Sequence, residues 1–599
     1  MSDKKDMHTF HIPVMGIGFT VDTPAKVAHY GISSVISLVD DMLIEKMREL
    51  YSGKFGVQYT AITEKDHDHR AKRITAYLNL LDKIVHEKFV KLKRSVEEHR
   101  EELHKFIDML PDLSAVKQKF HELVAQNTLT RDLHAWLDHH LHPGSIDVNI
   151  MTKLDKDNYR NDEKLAVEFN DAHAALRGFA ESTLRSSIVF SAGMNPRLYS
   201  YAETFNDFYP DAEGNLKKKI ILKVSDYRSA IIQGKFLAKK GLWVSEYRIE
   251  SGLNCGGHAF ATEGYLMGPI LEEFKNNRAS LIHTTFELLA AALKNKNRHC
   301  PAQPPQIKIT AQGGVGTAEE HQFLLDHYRL DSVGWGSPFL LVQEATNVDN
   351  ETLNLLCKAK EDDLYLSNIS PLGVPFNSLK NNTKDIEKQT LIDMGRPGSS
   401  CPKKYLSLNT EFTEQAICVA SRQYQHQKVQ QLGEMNLAAE EHGAEFQAIT
   451  DKSCICVGLG TAALIVNELS TKVEGPGVSV CPGPNIAYFD KAASLKDMVN
   501  HIYGRLVLLG EDDRPNMFIK ELQLYVDYLK AKIADAPRPF TDKQMKYFAS
   551  YQQNLHEGMK YYSTLFSDFE AKLAVLKRDL LLDLEEIQLS LQEACCVVQ

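Results

Sequence analysis

Gln306-Ile307-Lys308-Ile309-Thr310-Ala311-Gln312-Gly313-Gly314-Val315-Gly316-Thr317-Ala318 is the stretch that decides the fold. An apolar run of strand length ends in a cluster of glycines, and Thr317 then caps a helical segment that runs from Ala318 to His327. The same unit stands on either side of it. Upstream, Trp243 to Ile249 leads into Ser251-Gly252-Leu253-Asn254-Cys255-Gly256-Gly257-His258-Ala259-Phe260, and downstream Ser332 to Gly336 ends in Gly334-Trp335-Gly336-Ser337.

Five further segments have the composition of short strands: Ile12 to Gly16, Ser34 to Leu38, Val57 to Ile62, Ser187 to Ala192 and Lys219 to Val224. Most are followed by a helix, such as Thr23-Pro24 onward, with threonine as cap and proline in the first turn, or Tyr227 to Lys239. Eight apolar strands alternating with helices predict an α/β fold, a parallel (β/α)8 TIM barrel. An open doubly wound sheet fits the alternation too, but fits glycine clusters after strands six, seven and eight less well. Between about 70 and 180 the periodicity is helical, with Leu78, Leu81, Ile84, Val85, Phe89 and Leu92 on one face, so a helical insertion over 63–182 is expected. The barrel unit is then 1–345. Residues 346–515 are turn-rich and contain cysteines, and 516–599 carry leucines at helical spacing, including Leu522, Leu529, Leu573, Leu576, Leu580 and Leu584. These predict an irregular accessory region and an α-rich C-terminal region.

The chain has 599 residues, 43% hydrophobic and 25% charged, with a net charge of −10. That balance is globular, and it argues against the concentrated basic surface a nucleic-acid partner requires. Met1 to Asp6 are charged and lack a following apolar core, and no uncharged apolar run spans a bilayer. A cytoplasmic protein without a membrane partner is expected, acting on a small molecule, with homo-oligomerisation left open.

In an eight-stranded barrel the chemistry sits at the C-terminal strand ends, and the loops after strands seven and eight commonly hold a phosphate. Gly313, Gly314 and Gly336 let backbone N–H groups approach an anion without a Cβ between them, Ser337 adds a hydroxyl, and the helix opening at Thr317 aims its positive end there. His258 ends strand six after two glycines, where an imidazole can move a proton near neutral pH. His134, His139, His140 and His142 read as a solvated helix end, so no metal site is assigned to them. Cys401, Cys418, Cys454, Cys456 and Cys481 crowd one part of the accessory region; they admit an iron–sulfur cluster, but no Cys-x-x-Cys spacing supports one.

The segments Ile12-Pro13-Val14-Met15-Gly16, Cys255-Gly256-Gly257-His258, Ile309-Thr310-Ala311-Gln312-Gly313-Gly314-Val315 and Gly334-Trp335-Gly336-Ser337-Pro338-Phe339-Leu340 resemble the signatures of the nitronate monooxygenase family, which includes FMN-dependent enoyl reductases. The resemblance implies an FMN-binding barrel with the phosphate at Gly313, Gly314, Gly336 and Ser337 and the ring near Gly16 and Gly257. It also implies polar contacts from Gln58 and Lys223, at the ends of strands three and five, and a catalytic role for His258. Asn254-Cys255 departs from the family, as do the insertion and the residues beyond 345. The expected activity is that of a flavin-dependent oxidoreductase of nitronate monooxygenase type with substrate between FMN and His258. The alternatives are an enoyl reductase that takes an acyl thioester and NAD(P)H, and a non-catalytic barrel that binds a protein partner.

Overall fold

Eight parallel strands close on themselves: β1 (Phe10–Ile12), β2 (Ser33–Ser37), β3 (Ile146–Met151), β4 (Ser186–Ser191), β5 (Lys218–Val224), β6 (Val244–Glu250), β7 (Lys308–Gln312) and β8 (Ser332–Gly334). Each strand pairs with its neighbours in chain order, and β1 meets β8 with Phe10 opposite Val333 and His11 opposite Gly334. The computed structural model describes residues 6–94, 100–126, 130–191, 193–261, 263–567 and 574–596. Ala192 and Leu573, assigned above to a strand and to a helix face, lie outside the described residues.

Six of the eight strands lie where the sequence places them; the first, expected over Ile12 to Gly16, shares only Ile12 with Phe10–Ile12, and the third lies elsewhere. Val57–Ile62 pairs with no strand and instead follows the helix Asp41–Lys54 as extended chain. It is held from that helix: Ile62 N–H and Tyr59 OH both donate to the Glu45 carboxylate, at 2.8 and 3.0 Å, and Arg48 donates to the Thr60 carbonyl. Its alternating pattern fits an extended backbone but carries no information about a ladder partner. The third strand is Ile146–Met151, inside the stretch read as a helical insertion. Asp147 and Asn149 alternate with Ile146, Val148 and Ile150, and all five are buried. The pattern resembles a strand with a wet face because the barrel interior is itself polar.

That interior is layered. Val35, Val189 and Ile221 form a small apolar cluster with Val14 packed on it, separate from the main core. Arg248 pairs with Glu246 at 2.7 Å, and Thr310 donates to the same carboxylate at 2.6 Å. Buried ions of this kind are tolerated only when they are paired and hydrogen-bonded, and here the two partners stand two residues apart on β6 with Thr310 adding a bond from β7. The helices outside the barrel carry the large apolar core. His69–Arg94 packs on Asp171–Ala180, and Tyr227–Lys239 packs on the long helix Met267–Asn295.

The helix opening after β1 begins one residue off the expected cap. Asp22 is the N-cap, and the Thr23 hydroxyl donates to the Ala345 carbonyl at 2.6 Å.

The accessory region lies over the strand ends. Its ribbon, β9 (Leu364–Ser367) and β10 (Phe376–Leu379), is antiparallel, and its helix Ile455–Val466 is buried on every side from Ile455 to Leu464. A helix apolar all round must be covered, and each fully buried Leu, Ile or Val there contributes about 1.5–3 kcal/mol. Among the described residues no single helix is long and apolar enough to cross a membrane. The helices Met517–Asp535, Asp542–Ser567 and Ala574–Cys596 follow, and an aromatic seam joins the first two, with Phe518 meeting Tyr562 at 5.3 Å.

Candidate functional site

One cavity opens at the C-terminal ends of the strands. Its floor takes Ser37, Asn149, Ser191, Lys223, Glu250, Gln312 and Gly334 from β2 to β8, and Pro13 to Gly16 after β1. Seven strands thus deliver their last inward residue to a single space. Lys223 Nζ donates to the Glu250 carboxylate at 2.7 and 3.0 Å, and Gln312 Nε2 donates to the same carboxylate at 2.8 Å. With its amide nitrogen committed, Gln312 leaves Oε1 buried without a partner, and Asn149 leaves its Oδ1 in the same state. A buried acceptor without a donor costs about 1–3 kcal/mol. Two of them on the wall of one cavity mark places where a ligand N–H or O–H fits.

The loops after β7 and β8 line the same cavity. Gly313 and Gly314 have φ of +122° and +81°, outside the range an ordinary side chain adopts, and a Cβ on Gly314 would lie 2.0 Å from Asn254 Nδ2. The loop carbonyls are all pulled to one side. Arg514 takes that of Gly314, Asn485 that of Val315 at 2.8 Å, and His501 that of Gly316 at 2.9 Å. Because each peptide is planar and trans, fixing the Gly314 carbonyl toward Arg514 turns the Val315 N–H the opposite way. The amides of Gly314, Val315, Gly336 and Ser337 have no acceptor among the described residues. A Cβ on Gly336 would meet only Pro13 Cγ, at 3.4 Å.

The helix Ala318–Asp326 is capped by Thr317 as expected, but its positive end is already filled. Glu320 accepts from Gly316 N–H at 2.9 Å, from Met517 N–H at 2.7 Å and from Arg514 at 2.8 Å. The anion at that helix start is therefore a carboxylate of the chain itself, and the open donors lie just before it. Ser337 Oγ accepts from Gly483 N–H at 2.7 Å, which leaves its own proton to donate elsewhere.

His258 sits on the wall opposite. Its Nε2 and the Ser370 hydroxyl are 2.7 Å apart, its ring meets Phe376 edge-on at 4.9 Å, and its backbone bridges to Phe376. Neighbouring bonds from Asn377 N–H to Gly257 O and from Ala259 N–H to Pro375 O, both 2.9 Å, pin the segment under β10. Burial, and then the positive charges of Lys223 and Lys153, push the imidazole down to about 4. It is neutral at neutral pH. Cys255 donates its thiol proton to the Gln312 carbonyl at 3.4 Å, and burial raises it well above the ordinary thiol range. It is a packed thiol, not a nucleophile.

The accessory region supplies the roof. Leu372, Phe376, Leu406, Ile455 and Leu459 face the cavity, and Gly18 N–H donates to the Leu459 carbonyl at 2.8 Å. Gly256 allows the 481–484 loop to come down on it, since a Cβ there would lie 2.4 Å from the Cys481 carbonyl.

Of the residues singled out in the sequence, Gly16, Lys223, Gly257, His258, Gly313, Gly314, Gly336 and Ser337 line this one cavity. Gln58 does not: it is exposed in the coil after Asp41–Lys54, because the strand meant to carry it is not a strand. The true third strand brings Asn149 to the cavity instead. Glu250 and Gln312 were also missed, although each is the polar residue closing an apolar strand. Four of the five grouped cysteines, Cys401, Cys418, Cys454 and Cys456, are buried, and Cys456 and Cys481 line the cavity. No group of three or more His, Cys, Asp or Glu among the described residues is arranged to hold a metal ion.

No family model matches the chain, and no curated protein does. Among solved structures it is similar to the enoyl reductase domain of MlnA from the macrolactin biosynthesis cluster of Bacillus amyloliquefaciens. The identity is 14% and the TM-score 0.34, over 66% of this chain and 86% of that one.

Proposed function

We propose that the protein is an FMN-dependent oxidoreductase. The observation that carries this reading is the set of unpaired amides at Gly314, Val315, Gly336 and Ser337, which share one roofed cavity with the Lys223–Glu250–Gln312 chain. Four N–H groups without an acceptor on the lining of one cavity suit a phosphate, and the open acceptors on Asn149 and Gln312 suit the imide edge of a flavin ring. Bound FMN supplies hydride exchange. The chain's own residues do the rest.

Lys223 holds a proton at the cavity floor, kept in place by Glu250, which Gln312 fixes in turn. An ammonium so placed can donate to a carbon or oxygen that becomes negative as the substrate is reduced. His258 stays neutral and can hydrogen-bond a substrate carbonyl. The roof of Leu372, Phe376, Leu406, Ile455 and Leu459 excludes water and favours an apolar chain on the substrate.

These features favour reduction of an activated double bond, as in an enoyl thioester, over the nitronate monooxygenase reaction. That reaction asks a base to remove a proton from a weak carbon acid. An imidazole at about 4 is some three units too weak to do so well near neutrality. Anaerobic titration distinguishes the two readings. Bleaching of the flavin by NAD(P)H alone supports the reductase, and bleaching by a nitronate alone supports the monooxygenase.

A further inference from the structure

We propose that Asn254 is a positioning residue for a phosphate: it carries the hold of the C-terminal helix Met517–Asp535 onto the Gly313–Gly314 turn and so aims the amides that meet the anion. The proposal rests on the flavin-phosphate reading of that turn. Asn254 belongs to the loop after β6, lines the cavity and is 2% exposed. Its Nδ2 donates to the Met517 carbonyl at the start of the helix, at 3.1 Å, and its backbone N–H donates to Ser251 Oγ at 3.2 Å. The bond to Met517 also fixes which way round the carboxamide stands, because the reversed amide sets one oxygen against another.

The carboxamide closes one side of the turn. A Cβ on Gly314 would lie 2.0 Å from Asn254 Nδ2 and 2.6 Å from its Cγ, so the amide abuts the Gly314 Cα. Arg514, three residues before Met517, takes the Gly314 carbonyl. Gly314 is thus gripped on two sides, directly or through Asn254, by one short stretch of the C-terminal chain. Ser251 anchors the residue ahead of the turn: its N–H donates to the Gln312 carbonyl at 3.2 Å, and its hydroxyl donates to Glu521, on the same helix, at 2.5 Å. Glu521 also accepts from Met267 N–H at 2.8 Å. Each peptide is planar and trans, so holding the carbonyls of Gln312 and Gly314 sets the directions of the Gly313 and Val315 N–H groups.

Packing alone does not account for an asparagine here. Its Oδ1 is buried without a partner, and a leucine of similar volume fills such a place without desolvating a polar group. What a leucine lacks is the bond to Met517 that stops the side chain from turning away from Gly314. Hydrogen bonds weaken steeply with misdirection, so an anion gains most from N–H groups that are aimed before it arrives. An uncharged ligand gains nothing from that aim.

The test is titration of the full-length protein with FMN and with riboflavin, which lacks the phosphate, in wild type, N254L and S251A. Wild type should bind FMN at least about tenfold more tightly than riboflavin. N254L should weaken FMN about tenfold and leave riboflavin within about twofold, so that the preference for phosphate collapses. S251A, which removes the acceptor for Asn254 N–H and the bond to Glu521, should shift the preference in the same direction by about threefold. Equal weakening of both flavins would overturn the proposal, because that is the mark of lost packing. So would variants that keep the wild-type preference. A wild-type protein that binds riboflavin as tightly as FMN, or binds neither, overturns the phosphate reading of the turn and the proposal with it. If N254L does not fold, S251A carries the same comparison.

Discussion

Glu250 joins Lys223 and Gln312, the last polar residues of β5 and β7, through a single carboxylate on β6: Lys223 Nζ lies 2.7 Å from one oxygen and Gln312 Nε2 2.8 Å from the other. Three successive strands therefore present one proton-holding unit to the cavity. Lys223→Met should lower turnover by about 10²–10⁴-fold, the range for loss of a general acid, while circular dichroism remains unchanged. Glu250→Gln keeps the shape and removes the charge, so its effect should be smaller and should appear as an altered pH–rate profile.

Gly336 is where a side chain would enter the cradle. Gly336→Val should weaken flavin retention about tenfold or more, the equivalent of losing one hydrogen bond to a charged group. Ultrafiltration of the purified protein, with free flavin measured by fluorescence, checks this. Gln58→Ala, in exposed coil, should retain flavin like the wild type, whereas Asn149→Leu should not.

Arg514 and Glu320 tie the C-terminal chain to the β7 loop through a pair in which both side chains are 7% exposed. Removing the cation leaves a buried carboxylate unpaired. Arg514→Ala should destabilise the fold by about 3–5 kcal/mol in urea unfolding, with Arg514→Lys intermediate because it cannot reproduce the forked contact.

His8, His258 and His321 are each pushed down to about 4 by burial. Unfolded, each takes up a proton near 6.5, so the unfolded chain binds more protons between about 6.5 and 4. The stability these neutral imidazoles support is complete above 6.5 and falls as pH drops toward 4, by at most about 3 kcal/mol each. Glu521 works the other way. It accepts from Ser251 OH at 2.5 Å and from Met267 N–H at 2.8 Å, yet burial pushes it up to about 7, so stability is lost as pH rises from about 4.5 to 7. Glu521→Gln should raise Tm at pH 8 and have little effect at pH 5.

The second half of the barrel is legible in the sequence because β6, β7 and β8 each end in glycines that the loops require for close approach, and such glycines leave a local signature. The third strand is not, because its inward residues Asp147 and Asn149 are polar and it follows about eighty residues of helical pattern. That one displacement costs the site Asn149 and assigns Gln58 in its place. Glu250 and Gln312 are visible as residues, but their shared hydrogen bonds depend on register between strands, which no local pattern records. The roof is illegible for the same reason: Gly256 and Cys481 meet across more than two hundred residues.

The most direct measurement is the absorption spectrum of the purified protein, followed by identification of whatever is released on denaturation. The account predicts flavin bands in the visible and near ultraviolet and release of FMN in about one-to-one ratio with the chain, a ratio lowered by Gly336→Val. A colourless protein that neither contains FMN nor takes it up when it is supplied in excess would contradict it.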